Sequence, residues 1–261
     1  MTFRERGNGF MKRLKMTVAY DGTEFAGFQR QPGKRTVQGV LEDVLTRLTG
    51  NDVQITGAGR TDSGVHALGQ VIHFDTSCPI PIDRWVRVLH HTLPCDLLVT
   101  KAEEVSTGFH SRKSACWKRY RYTLDTGKLP DLFQRRYRTH YPHRLDCARM
   151  NTAARHLLGT HDFTSLSAAK AQVKDRVRTL YHCEVREKDS RIVMIEVVGS
   201  GFLYHMVRII AGTLVDIGVG KTAPGDLPGI LSAKDRSAAG KTFPPEGLTM
   251  MEVGYTPWFI S

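Results

Sequence analysis

The chain has 261 residues, of which 41% are apolar and 24% are charged, and it carries a net charge of +11. These totals are typical of a soluble globular protein, and no uninterrupted apolar run is long enough to span a bilayer, which argues against a membrane protein. Five widely spaced cysteines without a Cys-x-x-Cys pair favour a reducing, cytoplasmic location over a disulfide framework or a thiolate zinc site. A pI near 9.6 favours a polyanionic partner such as nucleic acid.

The N-terminal region predicts a tail, a strand and a loop. Residues 1–11 are polar and basic and lack the apolar core of a signal peptide, so we expect a flexible tail. Apolar residues alternate from Leu14 to Tyr20, which predicts a strand. In the loop at 23–34, Phe25 and Phe28 either stack on bases beside Arg and Gln side chains or fold over a local apolar cluster.

The next segment predicts a helix with clear ends. Apolar residues from Val37 to Leu48 recur at helical spacing, Thr36 can cap the N-terminus and Gly50 can end the helix. A strand is expected at 71–75 and a second helix at 82–93, before Pro94.

The segment Gly57–Gln70 contains four glycines, an arginine, an aspartate and a histidine. Glycine allows close backbone approach and positive φ, so this density suggests a loop that fixes the geometry of Arg60 and Asp62. The alternative is an ordinary glycine-rich turn with a solvated ion pair.

The second half predicts further strands. Residues 117–124 read as a strand that places Tyr120 and Tyr122 on one face and arginines on the other. The basic and aromatic residues at 135–144 suit RNA binding or a solvated edge strand. We expect a domain boundary near residue 110, with an N-terminal half at 12–110 and a C-terminal half at 111–261.

The remaining elements are predicted from the same patterns. A short strand is expected at 97–100, and helices are expected at 146–159, 203–217 and 222–231. Strands are expected at 177–185 and 191–198, and a last strand begins at Val253.

The predicted helix at 203–217 is apolar on nearly all sides, which is typical of a buried helix. It contains Arg208, and a buried guanidinium needs an anion or equivalent acceptors. Asp62 is a strong candidate for that anion, although Arg208 could instead reach solvent or bond backbone carbonyls.

Motifs for cofactors are absent from the sequence. Gly57-Ala-Gly59 is followed by four residues before Gly64, which breaks the dinucleotide-binding spacing, and no phosphate-binding Gly-Lys-Ser/Thr occurs. A metal site built from Asp62, His66, His73 and Asp75 is the less favoured alternative, because that spacing matches no familiar ligand pattern. We expect neither a nucleotide cofactor nor a metal.

Several segments together resemble the tRNA pseudouridine synthase A family. The glycine-rich segment 57–70 resembles the family signature, and the resemblance continues over most of the chain but not the N-terminal tail. The other resembling segments are 20–31, 36–38, 109–122, 205–212 and 245–248.

The resemblance implies an α+β fold in which two similar α/β-sandwich halves share a central, mostly antiparallel sheet with helices packed on it and a basic cleft. It implies an isomerase that acts as a homodimer and converts uridine to pseudouridine at positions 38 to 40 of the tRNA anticodon stem-loop. Asp62 matches the catalytic aspartate, Arg60 the arginine linked to base extrusion, and Arg208 the arginine that pairs with the aspartate. Tyr120 matches the tyrosine that stacks on the target uracil, and His66 and Arg112 fall in matching motifs as substrate-binding residues.

Two other functions remain open at this stage. The basic residues could serve a non-catalytic RNA-binding protein. Asp62 and the histidines could serve a metal-dependent nuclease or hydrolase.

Overall fold

The computed structural model describes residues 11–169 and 175–259. The predicted tail at 1–11 therefore lies, except for Met11, outside the described residues. The described chain forms one ten-stranded sheet and five α-helices. None of these helices is both long and apolar enough to cross a membrane.

The first part of the chain contributes four strands and two helices. The strands are β1 (Lys12–Tyr20), β2 (Thr56–Gly57), β3 (His66–Thr76) and β4 (Leu97–Val105). The helices are α1 (Val37–Thr49) and α2 (Trp85–Thr92).

The second part contributes six strands and three helices. The strands are β5 (Trp117–Asp125), β6 (Thr139–His140), β7 (Gly159–Asp162), β8 (Val177–Glu187), β9 (Ile192–Gly199) and β10 (Leu248–Gly254). The helices are α3 (Cys147–Ala154), α4 (Met206–Gly218) and α5 (Leu227–Ala233).

The sheet has the order β4-β1-β3-β10-β5-β9-β8-β7, with β2 beside β3 and β6 beside β5. Its pairs are antiparallel except β10 with β3 and β6 with β5. The strands of the first part lie together, and β10 connects them to the strands of the second part. The predicted α+β class with a mostly antiparallel sheet is confirmed, while the predicted division near residue 110 stays a prediction.

Local sequence explains the best-predicted elements. The Thr36 hydroxyl accepts a hydrogen bond from the Gly39 amide, and Gly50 ends α1 with a φ of 71°, as the capping pattern predicts. In β5, Tyr120 and Tyr122 are buried on the core face. The arginines of the other face pair with glutamates of neighbouring strands.

Two expectations need correction. The helix predicted from residue 203 begins at Met206, because His205 takes a left-handed backbone with a φ of 60°. The interpretation of Phe25 and Phe28 as exposed stacking rings is wrong, since both are buried and belong to the core. Their loop folds over an apolar cluster instead.

The basic-aromatic segment at 135–144 is mostly irregular, and only Thr139–His140 pairs as a strand. The Tyr137 hydroxyl donates a hydrogen bond to Asp21 at 2.8 Å, and Arg136 lies 3.8 Å from Glu24. Part of this segment is therefore held against the turn after β1.

Asp125, at the end of β5, anchors the turn that follows it. Its carboxylate accepts two hydrogen bonds of 2.6 Å from the Arg191 guanidinium and further bonds from the amides of Gly127 and Asp131. The side chain is almost fully buried. These hydrogen bonds, with that from Arg191 the strongest, lower the pKa of Asp125 to about 2.

This low pKa predicts a loss of stability in acid. Because the pKa is lower in the folded state, the stabilisation is present above the unfolded pKa of 3.8 and is lost as the pH falls towards 2. We expect the Asp125→Asn variant to lose about 2 kcal/mol of unfolding free energy at pH 7 relative to wild type, and less at pH 2. Urea unfolding at both pH values measures this, with Asp83→Asn, an exposed change, as the control. Equal losses at both pH values would contradict the assignment.

Candidate active site

The glycine-rich loop before β3 is held to the main body of the protein by several hydrogen bonds. The Phe28 amide donates to the Thr61 carbonyl at 3.0 Å, and the Tyr20 hydroxyl lies 2.8 Å from the Thr61 hydroxyl. The Gln70 side chain donates to the Gly59 carbonyl at 2.9 Å. Asp62 therefore follows directly on a backbone segment that these bonds fix.

Gly27 packs directly against this loop. Its φ is 94°, and a Cβ built there would lie 2.9 Å from the Thr61 carbonyl oxygen. Real Cβ atoms do not come this close to another atom. Position 27 therefore needs glycine in order to pack against Thr61, the residue before Asp62.

Arg208 reaches Asp62 from the first turn of α4. The Arg208 Nη1 atom lies 3.3 Å from the Asp62 Oδ2 atom. Its Nε atom donates to the Phe243 carbonyl at 2.6 Å, and the Phe243 amide donates back to the Arg208 carbonyl at 3.1 Å. The Arg208 side chain is 13% exposed, and its half-buried guanidinium has both partners considered from the sequence, the Asp62 carboxylate and a backbone carbonyl.

His205 approaches the same carboxylate. Its Nε2 atom lies 3.5 Å from Asp62 Oδ2, and its ring stacks against Tyr204 with centroids 3.8 Å apart. Burial lowers the pKa of His205; Asp62 opposes this effect, and Arg208 and Arg236 add to it. A left-handed backbone at a non-glycine residue is uncommon and costs energy, and such residues cluster at functional sites.

A cavity of about 560 Å³ opens beside Asp62. Tyr120 lies in its wall, and its ring packs edge-on against Phe202 with centroids 5.0 Å apart. Burial raises the pKa of the Tyr120 hydroxyl, and the nearby Tyr20 and Asp62 add to this rise. The hydroxyl is therefore neutral at neutral pH and can donate a hydrogen bond.

The cavity wall carries more positive than negative charge. Among the described residues, Asp62 is the one carboxylate of the lining, and four lysine or arginine side chains surround it. These are Arg60, Arg112, Lys118 and Arg178.

Lys118 and His205 are not among the site residues predicted from the sequence. A signal for Lys118 does exist, because residues two apart on a strand share a face and Tyr120 was already assigned to the site. For His205 the signal is its place at the start of the resembling segment 205–212, although no role was assigned to it from the sequence and local propensity does not predict its left-handed backbone.

His66 does not line the cavity. Its buried ring accepts a hydrogen bond from the Gly22 amide at 3.0 Å and lies 3.3 Å from Asp21. Burial lowers its pKa, and Asp21 opposes this effect. The structure thus brings Asp62, Arg60, Arg208, Tyr120 and Arg112 to one cavity or its edge and places His66 behind the loop.

The four residues of the alternative metal site have different partners. His73 bonds the Ser111 hydroxyl at 2.9 Å, and Asp75 pairs with Arg13 at 2.7 Å. His66 faces Asp21 and Asp62 faces Arg208. No cluster of three or more such side chains suited to a metal occurs in the described parts of the chain.

Comparison with known proteins decides the family. A family profile described as tRNA pseudouridine synthase matches residues 16–112 and 153–256. The chain belongs to the tRNA pseudouridine synthase family. The resemblance stated from the sequence motifs is therefore confirmed.

Individual relatives of this family match almost the whole chain. The tRNA pseudouridine synthase A of Brevibacillus brevis is 52% identical over 94% of this chain and 100% of that protein. The protein of the same name from Bacillus subtilis is 52% identical over 93% of this chain and 99% of its own length. Among solved structures, a Cbf5-Nop10-Gar1 complex matches with 12% identity and a TM-score of 0.36, covering 91% of this chain and 57% of that chain.

The contact between Gly27 and the loop predicts a local effect of substitution. Gly27→Ala and Gly33→Ala both place a side chain at positive φ, with values of 94° and 68°, but only the first meets the Thr61 carbonyl. We expect both variants to lose about 1 kcal/mol of stability from backbone strain. Hydrogen exchange at the amides of residues 61–65 should be at least several-fold faster in Gly27→Ala than in Gly33→Ala. Equal exchange in the two variants would show that the contact does not position the loop.

Proposed function

We propose that this member of the tRNA pseudouridine synthase family isomerises uridine to pseudouridine at positions 38 to 40 of the tRNA anticodon stem-loop, with Asp62 as the nucleophile. The observation that carries this proposal is the pairing of Asp62 with Arg208 at 3.3 Å on the wall of a cavity rich in positive charge. Family membership supports the reaction and the tRNA substrate.

The reaction needs no external reagent. The N1–C1′ bond of uridine breaks, the base rotates, and a C5–C1′ bond forms. C5 then loses its proton and N1 gains one, so substrate and product are isomers. This chemistry requires a nucleophile or base and groups that hold a detached uracil, and protein side chains can supply both.

Asp62 is suited to the nucleophilic role. Its carboxylate is 24% exposed at the cavity wall, and Arg208 fixes one of its oxygen atoms. The other oxygen has no ion-pair partner among the described residues. A carboxylate held in this way can attack the sugar or the base without first reorganising.

The other site residues have supporting roles. The target base must leave its stack before reaction. We infer that Arg60, which is exposed at the cavity edge, fills the vacated position and that Tyr120, in the cavity wall, stacks on the uracil. Arg112 contributes positive charge for the RNA backbone. His66 would act on the substrate indirectly, through the position of the loop.

Substitution of Asp62 tests this function. Asp62→Asn keeps the shape of the side chain and removes its charge, so pseudouridine formation should fall by at least a thousandfold while tRNA affinity changes little. Release of tritium from C5-labelled tRNA measures turnover, and filter binding measures affinity. Turnover near the wild-type rate would contradict the nucleophilic role.

Further variants and the activity of the wild-type protein separate the proposed enzyme from a non-catalytic binding protein and from a nuclease. Arg60→Ala should slow turnover of bound tRNA, because it removes the side chain assigned to the vacated position, whereas Tyr120→Phe, which keeps the stacking ring, should slow it less. Wild-type protein that binds tRNA and releases no tritium would indicate a non-catalytic binding protein. Cleaved RNA and complete inhibition by EDTA would indicate a metal-dependent nuclease.

The proposal also includes a cytoplasmic homodimer. The exposed apolar side chains of Leu129, Leu132 and Phe133 offer surface for a contact between copies, with Phe133 85% exposed. Sedimentation at micromolar concentration should show a dimer for the wild type and a shift towards monomer for Phe133→Ser. A wild-type protein that sediments as a monomer would contradict this part of the proposal.

A further inference from the structure

Two basic side chains of the cavity lie against glycines. The Lys118 Nζ atom is 3.3 Å from the position that a Cβ would take at Gly59, and the Arg178 Nε atom is 3.5 Å from the corresponding position at Gly201. Neither glycine has a positive φ. Glycine at these positions therefore leaves room for a cation to lie directly over the backbone.

Lys118, Arg112 and Arg178 form a group of like charges, which we call the cation cluster. The described part of the chain places no carboxylate within ion-pair distance of any of the three. Asp62 lines the same cavity, but its carboxylate faces Arg208 and His205. Like charges that lack a counter-ion repel each other, so the cluster is arranged for an anion that the folded chain does not supply.

The strand register places the cluster next to the position of the target base. Lys118 and Tyr120 are two residues apart on β5 and share one face, about 7 Å apart along the strand. Gly59, under the ammonium, is next to Arg60 in the catalytic loop. A nucleotide whose base stacks on Tyr120 therefore has its backbone within reach of Lys118.

We propose that Lys118, Arg112 and Arg178 form a binding site for the RNA phosphodiester that flanks the target uridine, with Lys118 as its central cation. This inference rests on the proposed function, because it takes RNA as the ligand of the cavity. Lysine binds phosphate as a point charge, and the two guanidinium groups add donors around it.

The charge state of Lys118 gives the site a measurable property. Burial, and to a smaller extent the repulsion from Arg112 and Arg178, lowers the pKa of Lys118 to about 8. The other charged or titratable side chains among the described lining residues are those of Arg60, Asp62, His205, Tyr120 and Tyr204. The uncharged Met250 of β10 packs against the same glycine, Gly59, as the ammonium. A phosphodiester favours the protonated amine, so RNA binding above pH 8 is coupled to proton uptake.

Removing the charge of Lys118 tests the site. The probe is a hairpin RNA with the anticodon stem-loop sequence, and the binding constant is measured over a series of salt concentrations at pH 7. Lys118→Met should bind about tenfold more weakly, and the slope of log K against log salt should fall by about one. The matched control is Lys221→Met, which removes the same charge from an exposed lysine beyond the far end of α4 and should leave both quantities unchanged. A slope for Lys118→Met equal to that of the control would overturn the proposal.

A pH series provides a second readout that a purely structural role would not change. Wild-type affinity for the hairpin should decrease between pH 7 and pH 9 as Lys118 loses its proton. Lys118→Arg keeps its charge over this range, so its affinity should be nearly independent of pH. The same pH dependence in wild type and Lys118→Arg would also overturn the proposal.

The outcomes separate this inference from the proposed function. If the wild type forms pseudouridine and Lys118→Met keeps the wild-type RNA affinity and salt slope, only the phosphodiester site is contradicted. If the wild type forms no pseudouridine but Lys118→Met binds RNA more weakly, the enzymatic function is contradicted and the phosphodiester site is supported.

Discussion

The ion pair between Asp62 and Arg208 is the interaction on which the organisation of the site depends. It joins a loop between β2 and β3 to the first turn of α4, across 146 positions of sequence. The Phe243 carbonyl accepts a hydrogen bond from the Arg208 guanidinium, and the Phe243 amide bonds the backbone carbonyl of Arg208, so both the side chain and its backbone are held. A partly buried pair of this kind contributes little net stability, but removing one partner leaves an uncompensated charge. The main effect of the ion pair is therefore geometric, because it orients the Asp62 carboxylate.

The surroundings of the pair explain why the site suits a polyanion. Basic side chains converge on one cavity, and Asp62 is the single carboxylate among its described lining residues. Excess positive charge of this kind attracts a polyanion such as RNA. Aromatic rings, including those of Tyr120 and Phe202, lie in the same wall, and the proposed function uses such apolar faces to hold a detached base.

Elements governed by local sequence were predictable from sequence alone. Helix α1 follows from its apolar spacing and its caps at Thr36 and Gly50, and the faces of β5 follow from alternation. The partnership of Asp62 and Arg208 was predicted as the favoured alternative, because a guanidinium on an apolar helix needs an anion or equivalent acceptors. The family resemblance supplied the substrate, which composition could describe only as an acidic polymer.

Features set by tertiary contacts were not predictable in this way. The start of α4 depends on the left-handed backbone of His205, which no local propensity favours. Phe25 and Phe28 have the composition of an exposed stacking loop, yet packing buries them. The strand β10 begins at Leu248 rather than Val253, because pairing with β3 and β5 defines its start.

The position of β10 in the sheet has a consequence for how the protein is made. This strand pairs with β3 on one side and with β5 on the other, yet it follows every other strand in the sequence. Because the ribosome makes the chain from its N-terminus, the strands on the two sides of the sheet can form before β10 exists, but β10 cannot yet connect them. The cavity has walls from both sides, so a nascent chain carries Asp62, Tyr120 and Arg208 before it has the sheet that aligns them. The sheet that aligns these side chains is thus completed only at the end of synthesis, when the last strand joins its two sides.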